Sequence, residues 1–385
     1  MPLYIGLLSG TSMDGIDACI VDFSGDSTAQ LVAHDTTPYP EALLHELRAL
    51  MQPDAPRAMP RVARLDAWLG EVFANAANQL ITHSGVRRKS IRAIGSHGQT
   101  LHHAPHGDYP YSLQLGDPHR IAERTGLTVV ADFRRRDIAV GGQGAPLVPA
   151  VHAALFSHAT ESRVIANIGG IANITVLPPK NAPTTPVRGF DTGPGNTLMD
   201  AWTQSRLGQA YDRDGAWAQG GKVHEMLLAR LLGEPYFSRE APKSTGPELF
   251  NLAWLHAAAG ALMETVTAQD VQSTLLELTA RSLLDAVRMA APDAQHLLVC
   301  GGGAYNITLM QRIRALAEGL CVESTAHHGI EPAWVEAVAF AWLARRTMQG
   351  LPGNLPAVTG ASGARLLGAI YPANPTLDSG CFASA

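Results

Sequence analysis

Two glycine-tipped β-hairpins are the strongest constraint on how this chain folds. Leu3 to Leu8 and Ile16 to Phe23 are short apolar runs, separated by a polar turn that carries Gly10 and Gly15. Farther along, the β-rich runs RVIANI and ANITVL flank Gly169-Gly170. Each pair predicts two antiparallel strands joined at a polar tip. Helical and strand patterns alternate after both. Val62, Leu65, Leu69, Val72, Phe73 and Leu80 recur at helical steps. Strands are predicted at Ile91 to Gly95, Ser112 to Leu115 and Leu127 to Ala131, with a helix starting on Asp117-Pro118 and stopping near Gly126. The second hairpin is followed by a predicted strand over 187–191 and helices at Thr197 to Arg206, 218–232 and 270–290. A strand at His296 to Cys300 and a helix from about Ile307 come next, and a last helix carries Trp334, Val335, Val338, Ala339 and Trp342. The expected class is α/β, built as two similar units.

Bulk properties agree. A length of 385 residues exceeds one ordinary core. Hydrophobic residues at 46% and charged residues at 16% indicate a globular chain. A net charge of -5 and the single short basic run Arg134-Arg135-Arg136 argue against a nucleic-acid partner. The start has no basic leader, and the apolar stretch from Pro332 to Ala344 is short and interrupted by Glu336, so no signal peptide or membrane span is expected. Cys19, Cys300, Cys321 and Cys381 lie far apart without a CxxC pair, which reads as free thiols in the cytoplasm.

Several familiar sites are missing. There is no P-loop motif, no GxGxxG after a strand and no GxSxG elbow, and His224-Glu225 has Leu228 where a zinc-protease motif needs its second histidine. The best phosphate-binding candidate is the run Gly10, Thr11, Ser12, Met13, Asp14, Gly15, Ile16 and Asp17. Hydroxyls and backbone N–H groups at such a turn can donate to phosphate oxygens, and an acidic neighbour can hold Mg²⁺. A plain β-turn explains the same residues. Asn167, Gly169 and Gly170 supply a second such tip. Asp191 is open to two readings, an N-cap of the helix that follows or a general base at a strand end. Gly301, Gly302 and Gly303 fit either backbone passing a flat adenine base or a tight strand-to-helix turn. His97, His102, His103 and His106 match no metal template, so no metal ligands are assigned; His97 is the one read as a polar substrate contact.

Seven segments in order then carry a resemblance: GTSMDGID, GSHGQT, ADFRRRDIAVGGQGAPLVP, NIGGIAN, FDTGPGN, PKSTG and CGGGAYN. From Leu3 to about Ile370 the chain resembles the anhydro-N-acetylmuramic acid kinases. That resemblance implies a two-domain actin-like ATPase (ribonuclease H-like) fold with a central cleft, usually as a homodimer. The domains are expected at 1–132 plus 365–385 and at 133–364. It implies an ATP- and water-dependent reaction that opens the 1,6-anhydro bridge of a small sugar and phosphorylates it. Gly10 to Asp17 correspond to the ATP-binding hairpin and Asp191 to the base acting on water. Glu336, in GIEPAWVEA, corresponds to a second active-site carboxylate, although a helix residue packed near Trp334 reads the same way. Gln99, the three arginines and Lys243-Ser244-Thr245 are left without assigned roles. An ordinary sugar kinase would need the same base, and only the motifs separate it from the anhydro-sugar reaction. A chaperone-type ATPase or a repressor would need further segments, and a paired-carboxylate hydrolase would not explain the hairpins.

Overall fold

The computed structural model describes residues 2–10, 13, 15–25, 29–52, 56, 58–182 and 184–373. Thr11, Ser12, Asp14 and Cys381 lie outside the described residues. The chain divides into two compact units, 1–151 with 336–385, and 152–335. The breaks therefore fall at 151/152 and 335/336, not at the expected 132/133 and 364/365.

The first unit holds strands β1 (Leu3–Leu8), β2 (Ile16–Asp22), β3 (Gln30–Thr37), β4 (Ile91–Ser96), β5 (Gln99–Ala104), β6 (Tyr111–Leu115), β7 (Val129–Ala131) and β13 (Ala369–Tyr371). Its main sheet runs β13-β7-β4-β1-β2-β3, and β5 and β6 pair separately. The second unit holds β8 (Arg163–Ile168), β9 (Ile171–Leu177), β10 (Arg188–Pro194), β11 (His296–Cys300) and β12 (Cys321–Ser324), ordered β10-β9-β8-β11-β12. In both sheets the hairpin's second strand, β2 or β9, is antiparallel to both of its neighbours. On the other side the hairpin's first strand pairs in parallel with β4 or β11, which pairs in parallel with β7 or β12. Counting each unit from its hairpin, both read 3-2-1-4-5. This repeated order is the ribonuclease H-like topology of an actin-like ATPase fold.

Apolar strand faces explain the cores. Ile5, Leu7, Ile16 and Ile20 of the first hairpin pack with Leu69 and Phe73 of the Met59–Ser84 helix. Val164, Ala166 and Ile168 pack with Leu275, Leu278 and Leu283 of the Ala268–Ala290 helix. The positions of both breaks follow from packing. A Cβ on Gly6 or Gly95 would collide with the backbone of Ala337 or Phe340, so the Val335–Met348 helix lies directly on β1 and β4. Buried Asp137 also ties 137–144 to 354–359, accepting from Asn354 Nδ2 at 2.7 Å, Thr359 Oγ1 at 2.8 Å and the Gly144 N–H at 2.7 Å.

One predicted helix divides. The 218–232 segment is two helices, Ala216–Gln219 and Glu225–Leu232, broken at Gly220-Gly221. A Cβ on Gly221 would press on Ser273 Oγ and the Gln269 carbonyl.

Candidate active site

In the first unit, β1 and β2 meet at a turn closed by the Met13 N–H donating to the Gly10 carbonyl at 3.2 Å. Met13 is in the left-handed region at φ 56°. Gly15 is required by packing, since a Cβ there would lie 2.9 Å from both Thr36 Cγ2 and the Thr37 carbonyl oxygen. Ile16 is fully buried, so it supports the turn from the core side. Asp17 is partly exposed and accepts from Thr36 Oγ1 at 2.7 Å.

Close to this turn lies a network that sequence reading missed. Arg134 donates to His97 Nε2 from Nε at 3.2 Å and Nη2 at 2.9 Å, and to the Gly144 carbonyl from Nη1 at 2.7 Å. His97 Nδ1 donates to the Gly98 carbonyl at 2.9 Å. Burial, reinforced by Arg134, lowers the His97 imidazole to about 3, so it is neutral and Nε2 accepts. Both ring nitrogens are thus committed, and His97 holds Arg134 in place; the expected substrate contact is corrected to a positioning role. Burial also lowers Arg134 to about 10, with the Glu336 charge acting in the opposite sense. Glu336 sits in the first turn of the Val335–Met348 helix, where an anion is favoured by the helix dipole. Local sequence patterns carry little sign that the charges of Glu336 and Arg134 interact, because 202 positions separate them. Ser96 and His97 also line a cavity of about 490 Å³ with Asp66, Asp132 and Arg135, and the buried Ser96 hydroxyl has no hydrogen-bond partner.

The second unit places Asp191 inside β10, opposite Asn173, with a register shift just after it. This corrects the capping reading: the helix after it starts at Thr197, and Asn196 is its N-cap residue. Three contacts hold Asp191. Its N–H donates to the Lys243 carbonyl at 3.2 Å, its carbonyl accepts from Tyr236 Oη at 2.7 Å, and Oδ2 accepts from the Thr245 N–H at 3.1 Å. Lys243 Nζ in turn donates to the carbonyls of Tyr236 and Phe237 at 3.2 and 3.0 Å. Lys243-Ser244-Thr245 therefore gains a role as the clasp on Asp191. Burial pushes the Asp191 carboxyl up, the Thr245 N–H pulls it back, and Glu248 pushes it up further. The result is a carboxylate with one oxygen fixed and a greater affinity for protons than an ordinary aspartate. The Thr245 hydroxyl beside it is buried without a hydrogen-bond partner.

The glycines of this unit separate into two groups. Gly301 has φ 79°, and its Cβ would press on Asn167 Oδ1 and the Ile168 carbonyl; a Cβ on Gly303 would overlap the Ile168 side chain. The tight-turn reading accounts for these two. Gly302 is exposed and would meet only Asn196 Nδ2 at 3.5 Å. At Gly169 and Gly170 a Cβ would meet only Ile171 O at 3.6 Å and Thr197 Cβ at 3.9 Å. Neither internal packing nor positive φ demands glycine there, which leaves room for a ligand to approach the backbone. Their carbonyls accept from the N–H groups of Gly195, Asn196 and Thr197, so the hairpin tip and the turn after Asp191 form one hydrogen-bonded piece.

A family model described as anhydro-N-acetylmuramic acid kinase matches residues 2–373. A protein of that name from Xanthomonas campestris pv. campestris strain 8004 is 52% identical over 97% of this chain and 98% of its own. One from Shewanella loihica is 52% identical, covering 96% of this chain and 99% of its own. Among solved structures, a ROK family glucokinase from Streptomyces griseus, in complex with glucose and AMPPNP, aligns at 15% identity and a TM-score of 0.39, over 89% of this chain and 99% of that one. With the family model matched over residues 2–373 and relatives 52% identical over nearly the whole chain, the chain belongs to the anhydro-N-acetylmuramic acid kinase family.

Proposed function

We propose that the chain converts 1,6-anhydro-N-acetylmuramic acid, ATP and water to N-acetylmuramic acid 6-phosphate in cell-wall recycling. The observation that carries this reading is the clasped carboxylate of Asp191, which has one oxygen fixed by the Thr245 N–H and its basicity raised by burial. Asp191 takes a proton from water, and that water attacks the anomeric carbon. The bond from that carbon to O6 breaks, and O6 attacks the γ-phosphoryl group as the bond from that phosphorus to the β,γ-bridging oxygen breaks and ADP leaves. A general base of this kind contributes about 10²–10⁴-fold.

The ATP-binding role of Gly10, Thr11, Ser12, Met13, Asp14, Gly15, Ile16 and Asp17 is supported by the turn geometry at Gly10 and Met13 and by the family. The open approach to Gly169 and Gly170 supports backbone donation to phosphate, and exposed Gly302 is the best placed of its three glycines to face the nucleotide. Asn167 packs against Gly301 and shapes that loop. Asp17, a partly exposed carboxylate beside the hairpin turn, suits Mg²⁺ held through the ion's own waters. When bound, Mg²⁺ offsets phosphate charge. Glu336 and Arg134 form a charge pair suited to orienting a polar sugar group. The family supports a homodimer, and the buried Cys19 and Cys300, neither in a disulfide, suit the cytoplasm.

The deciding experiment follows ATP-dependent phosphorylation of the anhydro sugar in water labelled with heavy oxygen, for wild type and Asp191→Asn. Label at the anomeric position and a loss of about 10²–10⁴-fold in kcat for the variant are expected. Phosphorylated product without label would replace this reading with an ordinary sugar kinase.

A further inference from the structure

We propose that His296, Cys321 and Glu323 bind a borderline-soft divalent transition-metal ion, zinc(II) by ligand type, and that this ion clamps the edge strand β12 onto β11. The two strands are parallel, with His296 opposite Cys321 and Leu298 opposite Glu323. Residues two apart on a strand share a face, so the three side chains project from the same face at the same end of the sheet. One imidazole nitrogen, the Cys321 Sγ and one carboxylate oxygen all lie within 4.8 Å of one another. Zinc bonds of about 2.0–2.3 Å would draw these donors together by roughly an ångström.

The histidine is prepared for this role. His296 Nδ1 is buried and makes no hydrogen bond, although it lies 3.4 Å from Glu323 Oε2. On its other side, Nε2 lies 3.6 Å from Glu161 Oε2. Glu161, which also accepts from Arg163 Nη2 at 2.8 Å, places its negative charge behind the ring and favours the proton on the far nitrogen, which leaves the near lone pair for a metal. His328 Nε2 is 3.3 Å from the same Glu323 oxygen, within reach of completing the set, and Cys321 is exposed, so an ion can enter. On binding, the thiol proton leaves to solvent, and thiolate plus carboxylate neutralise a dication. Sequence spacing hid the group, since strand pairing alone brings His296 to Cys321.

The site is remote from the phosphate-binding hairpin. His296 pairs with Arg163 at the start of β8, whereas Cys300 pairs with Asn167 at the hairpin tip. Four residues of strand separate the two ends, about 13 Å. The role is therefore stabilisation of the sheet edge, independent of the proposed reaction.

Cobalt(II) titrated into the full chain, stripped of metal by a chelator, provides the test. A thiolate-to-cobalt charge-transfer absorption that saturates at one ion per chain and is bleached by zinc(II) is expected. Cys321→Ser should abolish it and Cys381→Ser should leave it, while Cys19 and Cys300 are buried. Glu161→Gln should weaken binding about 10–100-fold. Zinc(II) should raise the melting temperature of wild type but not of His296→Ala. Absence of the absorption, its survival in Cys321→Ser, or an equal thermal shift in His296→Ala would overturn the proposal.

Discussion

The two sheets share one strand order, yet the long helices laid over them are seated by opposite means. The Val335–Met348 helix buries Ala337, Val338, Phe340, Ala341 and Leu343, and its backbone reaches β1 and β4 because Gly6 and Gly95 have no side chains. The Ala268–Ala290 helix buries Leu275, Leu278 and Leu283 and, in addition, the polar residues Gln272, Ser273, Thr274, Glu277, Thr279 and Ser282. Thr279 Oγ1 donates to the carbonyls of Pro194 and Gly195 at 3.1 and 2.9 Å, on the turn that follows Asp191. Close backbone approach seats the first helix, whereas the second adds hydrogen bonds to its apolar contact. A helix laid flat on strands is served by close contact, whereas one that must fix the turn after Asp191 gains from directional bonds.

The largest effect should come from adding volume where shape alone operates. Gly95→Val places side-chain atoms into the Phe340 backbone and should cost about 3 kcal/mol or more in denaturant unfolding. A loss below about 1 kcal/mol would mean that the helix slides easily and that close approach is not what holds it. Next, Thr279→Val keeps the shape but leaves two buried carbonyls without their donor, for about 1–3 kcal/mol. It should also reduce kcat by misplacing the strand that carries Asp191. Unchanged turnover alongside lost stability would show that the bonds serve the fold alone.

The smallest expected effect is electrostatic. Because burial raises the Asp191 carboxyl, the acidic limb of kcat/KM should lie above the ordinary aspartate range, with activity falling as pH drops through it. Glu248→Gln removes a like charge that disfavours the ionised form, so the limb should move to lower pH. A shift to higher pH, or none, would place the titrating group elsewhere.

Much of the architecture was legible because periodicity and glycine punctuation are local signals. Leu3–Leu8 and Arg163–Ile168 agree with the expected runs, and Asp117 caps its helix by accepting from the N–H groups of His119 and Arg120. What failed depended on distance along the chain. A cap stayed open as one of the two readings of Asp191 because Thr245, 54 residues away, could not be foreseen as the donor to its carboxylate. The break at Gly220-Gly221 is set by Gln269 and Ser273, and the unit boundary by contacts of Ala337 and Phe340 with β1 and β4. His97 was misread for the same reason, since its partner Arg134 lies 37 positions away.

The bonds from Asp137 to Asn354 and Thr359 span 217 and 222 positions, and they have a consequence for biosynthesis. The unit at 152–335 is one continuous stretch and can fold as soon as it has left the ribosome. The unit that begins the chain must wait for its last 50 residues, so it starts first and finishes last. During that interval β1 and β4 lack the helix that covers Gly6 and Gly95, and this half of the nascent protein is the one that most needs protection from aggregation.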